Sequence, residues 1–198
     1  MMWWKKWWQH KKNKKQENCS LSWTTIENIE KSDMSQIEID TLKYQYSEEM
    51  LARDIYKYFY EKYKVNTFNN ISSSEQKHMD ELKLLFTRYN IAIPTDYWVL
   101  NDKFNELKTM WEVSLKDALE VWIKIEMLDI VDIQLDISKT DNKDFQYILK
   151  NIWGASYNHL RSFIKTINNT WLKTEIDYSK FLSNDEINTK WNLSKNID

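Results

Sequence analysis

Residues 74–78 read Ser74-Glu75-Gln76-Lys77-His78, which places a glutamate and a histidine three positions apart. The surrounding residues 68–89 have the apolar spacing of a helix, given by Phe68, Ile71, Met79, Leu82, Leu85 and Phe86. On that helix Glu75 and His78 share one face, about a turn apart. A Glu-x-x-His pair directed into a helical bundle is half of the ligand set of a carboxylate-bridged dinuclear metal site. One such pair arises easily by chance, so its meaning depends on the rest of the chain.

Apolar residues recur at helical spacing in four long segments, which cover residues 35–63, 68–89, 114–137 and 140–168. Ser114-Leu115-Lys116-Asp117 is a predicted capping box for the third helix, and Thr140 or Asp141 is the predicted N-cap of the fourth. Residues 90–110 contain the only proline and predict a long connection between the second and third helices. A short C-terminal helix is predicted beyond the fourth long helix, with a capping box at Ser183-x-x-Glu186. These elements predict an all-α fold, a bundle of four long helices.

The chain divides into a predicted tail and one predicted domain. Residues 1–34 are polar and basic without sustained periodicity, and we expect a disordered tail there. Residues 35–192 form the predicted bundle domain. The segment Trp-Trp-Lys-Lys-Trp-Trp at residues 3–8 leaves a second interpretation open, an interfacial membrane anchor.

Charge and cysteine content exclude several classes of protein. The net charge of -2 offers no electrostatic argument for nucleic-acid binding. The single cysteine, Cys19, excludes a disulfide framework and a cysteine-rich zinc site within one chain. No apolar run approaches the roughly 20 residues of a membrane span. The N-terminus lacks the apolar stretch of a signal peptide, so a cytoplasmic location is expected.

The tryptophan and glycine contents are abnormal. The chain has 11 tryptophans and one glycine, Gly154, whereas average usage would give about 14 glycines in this length. Several tryptophans stand where glycine is ordinary, namely Trp98 in a predicted loop, Trp111 between helical segments and Trp171 beyond a predicted helix end. We hypothesise that many of these codons are UGA, which the source organism reads as glycine. No function is therefore assigned to any tryptophan.

Each predicted helix carries an ionisable residue on its apolar stripe near mid-height. These residues are Glu49, with Glu48 beside it, then Glu75 and His78, then Glu126, and finally His159. Burying a charge is costly unless the group is paired or binds metal. The alternative interpretations remain open: solvated helix faces for the first two helices, ion pairs for Asp129, and a core histidine bonded to a carboxylate for His159.

Four motifs follow one another along the chain: Glu48-Glu49-Met50-Leu51-Ala52-Arg53-Asp54-Ile55-Tyr56, Ser74-Glu75-Gln76-Lys77-His78-Met79-Asp80, Ile125-Glu126-Met127-Leu128-Asp129-Ile130-Val131-Asp132 and Ser156-Tyr157-Asn158-His159-Leu160-Arg161-Ser162-Phe163. In this order they resemble a prokaryotic ferritin-like, rubrerythrin-like family that is labelled a domain of unknown function. The resemblance covers residues 36–190. It implies that the metal ligands are Glu49, Glu75, His78, Glu126 and His159. It also implies that Tyr56 and Asp129 hydrogen-bond to these ligands.

The fourth motif departs from the full pattern, which has Glu-x-x-His on two helices. Here the second pair is Ser156-x-x-His159, so one carboxylate is missing. Asp129, nearly one turn from Glu126, is a partial replacement. Two irons, a single metal and a purely structural site all remain open. Imidazole and carboxylate ligands suit iron, and manganese or zinc is not excluded.

The resemblance implies an oxidoreductase that acts on oxygen, peroxide or ferrous iron. Rubrerythrin-like peroxidases carry a cysteine-ligated iron domain as electron donor, and a chain with one cysteine would need a separate donor. The assembly is left open by the sequence, with a homodimer as one alternative. The alternative function is a non-catalytic helical module whose buried polar groups pair with one another.

Overall fold

The computed structural model describes residues 23–103, 105 and 114–182. Its helices are α1 (Trp23–Glu27), α2 (Gln36–Tyr63), α3 (Asn66–Tyr89), α4 (Leu115–Lys139), α5 (Lys143–Asn168) and α6 (Ser179–Leu182), with a 3-10 turn at Trp98–Leu100. The described residues contain no strand, so the predicted all-α class is confirmed. The predicted capping box at Ser183 and Glu186 lies outside the described residues.

The four long helices pack as two pairs. Helix α2 runs along α3, and α4 runs along α5, while α3 against α5 joins the pairs. Helices α2 and α4 make few direct contacts. The turn between α2 and α3 is tight because Lys64 takes a left-handed conformation, with φ 54°, and donates its backbone N–H to the Tyr60 carbonyl at 2.8 Å.

Side-chain caps fix where the long helices begin. Ser35 and Glu38 form a capping box that starts α2. Ser114 caps α4 as predicted, and its hydroxyl accepts from the Asp117 backbone N–H at 3.1 Å. The prediction of Thr140 or Asp141 as the cap of α5 is wrong. Asn142 caps that helix, since its side chain accepts from the Phe145 N–H at 3.2 Å.

The core consists of two apolar clusters. Cluster I contains Leu51, Ile55, Phe59, Phe68, Ile71, Leu119, Trp122, Ile123, Leu160 and Phe163 among others. Cluster II contains Ile26, Leu42, Tyr46, Leu82, Leu85, Phe86, Ile133, Phe145, Leu149 and Ile152 among others. Along α2, α3 and α5, buried polar residues lie at or next to the place where one cluster gives way to the other: Glu49, Glu75, His78, Ser156 and His159. On α4, Glu126 lies 3.6 Å from His159 and Asp129 bonds to Ser156, so both belong to the same zone. We call this zone the polar layer.

The segment expected to be a disordered tail is partly placed against the bundle. Residues 23–34 include α1, and Ile26 is fully buried in cluster II. The Arg88 guanidinium donates to the backbone carbonyls of Ile26 and Ile29. These contacts, which a composition argument does not anticipate, order residues just before α2. Residues 1–22 lie outside the described part of the chain.

The tryptophans fall into two groups. Trp122 is 2% exposed and packs on Tyr56, with ring centroids 4.2 Å apart. Trp153 donates its indole N–H to the Ile130 carbonyl at 3.0 Å. By contrast, Trp98 has φ 51°, a left-handed conformation that favours glycine. Trp171 is 90% exposed and has no positive φ, while Trp111 lies outside the described residues.

Within the described ranges, no helix combines the length and the apolar content needed to cross a bilayer. A groove of about 570 Å³ runs between the N-terminal part of α2 and the C-terminal part of α4, where Ile37, Val99 and Leu135 are exposed.

Candidate metal centre

The five residues predicted as ligands meet in the polar layer. Glu49 comes from α2, Glu75 and His78 from α3, Glu126 from α4 and His159 from α5. None is more than 6% exposed. The helical periodicity that buries the apolar stripes also turns these five side chains inward, because they occupy the same stripes.

Glu75 lies between the two imidazoles. Its Oε2 is 2.8 Å from the Nδ1 of His78, and its Oε1 is 3.2 Å from the Nδ1 of His159. The His78 Nδ1 is also 3.0 Å from Glu49 Oε2. The His159 Nδ1 is 3.6 Å from Glu126 Oε2. Each imidazole therefore directs the same nitrogen toward two carboxylates.

A compact subset of these atoms suits a metal ion. One ligand atom each from Glu75, His78 and His159 lies within 4.8 Å of the others, and all three residues are buried. The two imidazole rings face each other with centroids 5.6 Å apart and an interplanar angle of 29°. On its other nitrogen, Nε2, His78 lies 3.4 Å from the Ser74 hydroxyl, a contact that can orient the ring. The donor set of imidazole nitrogens with carboxylate oxygens fits iron, manganese or zinc.

Neighbouring side chains hold the carboxylates in place. The Tyr56 hydroxyl donates to Glu126 Oε1 at 2.6 Å, and the Ser156 hydroxyl donates to Asp129 Oδ2 at 2.6 Å. Tyr56 thus contacts a predicted ligand, as expected, whereas Asp129 bonds to Ser156, which is not among the predicted ligands. Arg53 of α2 donates to Asp54 and Gln76.

Burial and charge set the protonation of the metal-free cluster. Burial disfavours the charged form of His159, but the carboxylates of Glu75 and Glu126 outweigh it and raise its pKa to about 10. Burial also opposes the charge of His78, and Glu49 raises its pKa well above the usual value. Burial alone would raise the pKa of Glu75, but the interactions with His159 and His78 outweigh burial and lower that pKa. These shifts favour the charged form of both imidazoles and of the Glu75 carboxylate between them.

The other carboxylic acids of the polar layer have raised pKa values, in contrast to Glu75. Burial raises the pKa of Glu49 and of Glu126, although the histidines lower it in part. Burial and the neighbouring Glu126 raise the pKa of Asp129 to about 7. Burial and Asp129 raise the pKa of Glu48 well above its usual value. Several carboxylates packed together explain these shifts, since like charges resist a common ionisation.

Two residues were not assigned a role by sequence reasoning. Glu48 lines a small cavity beside Glu49 and Asp129. Its position next to Glu49 was visible in the sequence, but no periodicity rule selects both members of an adjacent pair for one helix face. Ser74 contacts His78 at i+4 spacing, and only the orientation of the ring reveals this contact.

A model of the family described as an uncharacterised protein domain, DUF2202, matches residues 38–191. The chain belongs to this family. It is also 41% identical over 152 residues to the uncharacterised protein MJ0754 of Methanocaldococcus jannaschii, covering 73% of this chain and 82% of that protein. The crystal structure of the hypothetical protein MJ0754 superposes with a TM-score of 0.68 at 37% identity, covering 82% of this chain and 96% of the other. The DUF2202 chain is thus similar to this archaeal protein over most of its length.

Proposed function

We propose that the DUF2202 chain is a ferritin-like metal protein, with a carboxylate-bridged centre that binds iron and acts on oxygen, peroxide or ferrous iron. The observation that carries the proposal is Glu75, whose two oxygens each lie within 3.2 Å of a different histidine Nδ1. A carboxylate has two oxygens, so one that stands beside imidazole ligands and other carboxylates is suited to bridge two metal ions. Manganese and zinc fit the same donors and are tested beside iron.

Each residue of the centre has a defined task in this proposal. His78 and His159 offer nitrogen ligands, while Glu49, Glu75 and Glu126 offer oxygens. Tyr56 fixes the orientation of Glu126 through its 2.6 Å hydrogen bond. The apolar clusters on both sides of the polar layer limit the access of bulk water.

Bound iron would supply electrons to oxygen or peroxide. The 198 residues hold one cysteine, too few for a four-cysteine iron site, so the proposal includes a separate electron donor. The protein's own contribution is therefore to bind, orient and shield the metal ions.

Metal content tests the proposal. The full chain, freed of metal and loaded with ferrous iron without oxygen, is expected to retain about two irons per chain by elemental analysis. Glu75→Gln is expected to abolish this retention, because the shared carboxylate is lost. Glu61→Gln is the matched control, because Glu61 is exposed and its ion-pair partner is Lys64, three positions further along the chain. Retention of no iron, manganese or zinc by the folded chain overturns the proposal.

A second function is favoured by one specific observation. Every imidazole Nδ1 of the centre already lies within 3.6 Å of two carboxylate oxygens, which is the geometry of a buried ion-pair network. In that case the chain is a non-catalytic helical module. Its thermal stability would then be unaffected by a chelator, whereas a metal centre loses stability on metal removal.

A further inference from the structure

Ser156 marks a gap in the proposed centre. A complete ligand set of this kind has Glu-x-x-His on two helices, but α5 carries a serine three positions before His159. Ser156 is 2% exposed, so this short side chain faces the interior of the bundle. The carboxylate that α5 would contribute is therefore absent from the polar layer.

Asp129 of α4 reaches the gap from the facing helix. Its Oδ2 accepts the Ser156 hydroxyl at 2.6 Å. A serine hydroxyl has one proton, and its distance to the Ile152 carbonyl is longer, 3.2 Å, so Asp129 is the principal acceptor. Asp129 also follows Glu126 by three positions, which places both carboxylates on one side of α4.

A cavity of about 10 Å³ lies against these carboxylates. Its lining residues are Glu48, Glu49, Ala52, Tyr56, Glu75, Ile125, Glu126 and Asp129. The volume admits about one water-sized occupant. Glu75 and Glu126, which contact the histidines, line it as well, whereas His78 and His159 do not. The cavity therefore adjoins the same centre on its carboxylate side.

We infer that Asp129, held by Ser156, replaces the absent α5 glutamate as a ligand, and that with Glu126 and the shared Glu75 it completes a second cation position in this cavity. The inference rests on the proposed function, because Glu75 and Glu126 serve both positions. A divalent cation there offsets the repulsion among carboxylates packed around one small cavity.

The two positions differ in donor chemistry. The first has the histidine nitrogens, whereas the ligand atoms around the cavity are carboxylate oxygens. Oxygen donors suit harder ions such as manganese(II), and imidazole suits iron and zinc. The cavity position is thus expected to prefer manganese over zinc and to fill after the histidine position.

The test counts manganese bound to the full, metal-free chain, from the electron paramagnetic resonance signal of free manganese together with elemental analysis. We expect two ions for the wild type and one for Asp129→Asn. The matched control is Asp132→Asn, which changes an exposed residue about one turn along the same helix and keeps both ions. Ser156→Ala is expected to weaken the second ion by about tenfold, since it removes only the supporting hydroxyl.

A rescue variant separates a ligand role from a structural one. Asp129→Asn combined with Ser156→Glu returns a carboxylate to α5 and is expected to regain the second ion. Two ions bound by Asp129→Asn, or one by the wild type, would overturn the inference while leaving a metal centre in place. No ion of any kind on the folded wild type would instead overturn the proposed function. Where circular dichroism shows that Asp129→Asn does not fold, an unchanged second affinity in Ser156→Ala overturns the inference.

Discussion

Tyr56 connects the apolar core to the proposed centre. Its ring packs between Trp122 and Phe163, and its hydroxyl donates to the buried Glu126. Tyr56→Phe keeps the ring and removes only this hydrogen bond. We expect metal affinity to fall by about 10-fold to 100-fold, because Glu126 loses its orienting partner.

The control for Tyr56→Phe is Tyr97→Phe. Tyr97 donates its hydroxyl to Asp54 at 3.2 Å, away from the centre, so this variant loses a similar bond without touching a ligand. Isothermal titration with manganese compares the two variants. Equal affinities in both would show that Tyr56 does not support the centre.

Trp98 is the residue at which the codon hypothesis has a structural consequence. A tryptophan at φ 51° carries a left-handed strain of about 1–2 kcal/mol that glycine avoids. Trp98→Gly is therefore expected to raise the melting temperature. Trp153→Gly is expected to lower it, because the bond to Ile130 and the edge contact with Tyr157 are lost. A lower melting temperature for Trp98→Gly, or a UGG codon at position 98, would contradict the hypothesis.

Helical periodicity was enough to predict that the five candidate ligands face the interior of the bundle, since each lies on the apolar stripe of its own helix. Their role as ligands stays a prediction. Periodicity did not assign Glu48 a role, because it identifies a stripe and not how far the neighbouring side chain reaches. Similarly, the bond between Ser156 and Asp129 depends on the registry of α4 against α5, which no local pattern specifies.

At the scale of elements, the helix boundaries also depend on contacts that the local sequence does not specify. Ser114 was predicted as a cap from its own local sequence. Asn142 was missed because Thr140 precedes it and has the same capping chemistry. In the structure Thr140 is engaged by Glu38 of α2, a contact across 102 positions of sequence. The contact between Thr140 and the distant Glu38 therefore leaves Asn142, two positions further along the chain, as the cap of α5.

Glu38 ties the start of α2 to the turn between α4 and α5. Burial opposes its charge, but hydrogen bonds from Thr140, Ser35 and Asn142 outweigh burial and hold its pKa below the usual 4.5. The stability that this carboxylate contributes is fully present above pH 4.5 and is lost as the pH falls through the lower folded-state pKa.

We expect Glu38→Gln to be less stable than the wild type at pH 7 and to approach it as the pH is lowered below 4.5. Thermal unfolding between pH 7 and pH 3 measures this difference. The exposed Glu61→Gln serves as the control and should follow the wild type throughout. A constant difference between Glu38→Gln and the wild type at all pH values would contradict the assignment.

At the scale of the whole molecule, the polar layer lies between two apolar clusters. A metal ion bound there, as proposed, would join α2, α3, α4 and α5 through their ligands, so its removal would act on all four helices at once. At a metal concentration 1,000 times the dissociation constant, loading adds about 4 kcal/mol to stability. We expect a chelator to lower the melting temperature of the wild type and to leave Glu75→Gln unchanged. An equal chelator effect on both would place the metal elsewhere.

The layer also determines how the helices align lengthwise. Sliding one long helix by a single turn, about 5.4 Å, would carry its acid into an apolar cluster and bring apolar side chains opposite the remaining acids. Apolar stripes alone tolerate such a slip, because one leucine replaces another at little cost. The charged residues at mid-height would thus favour one lengthwise register of the four helices, even without metal.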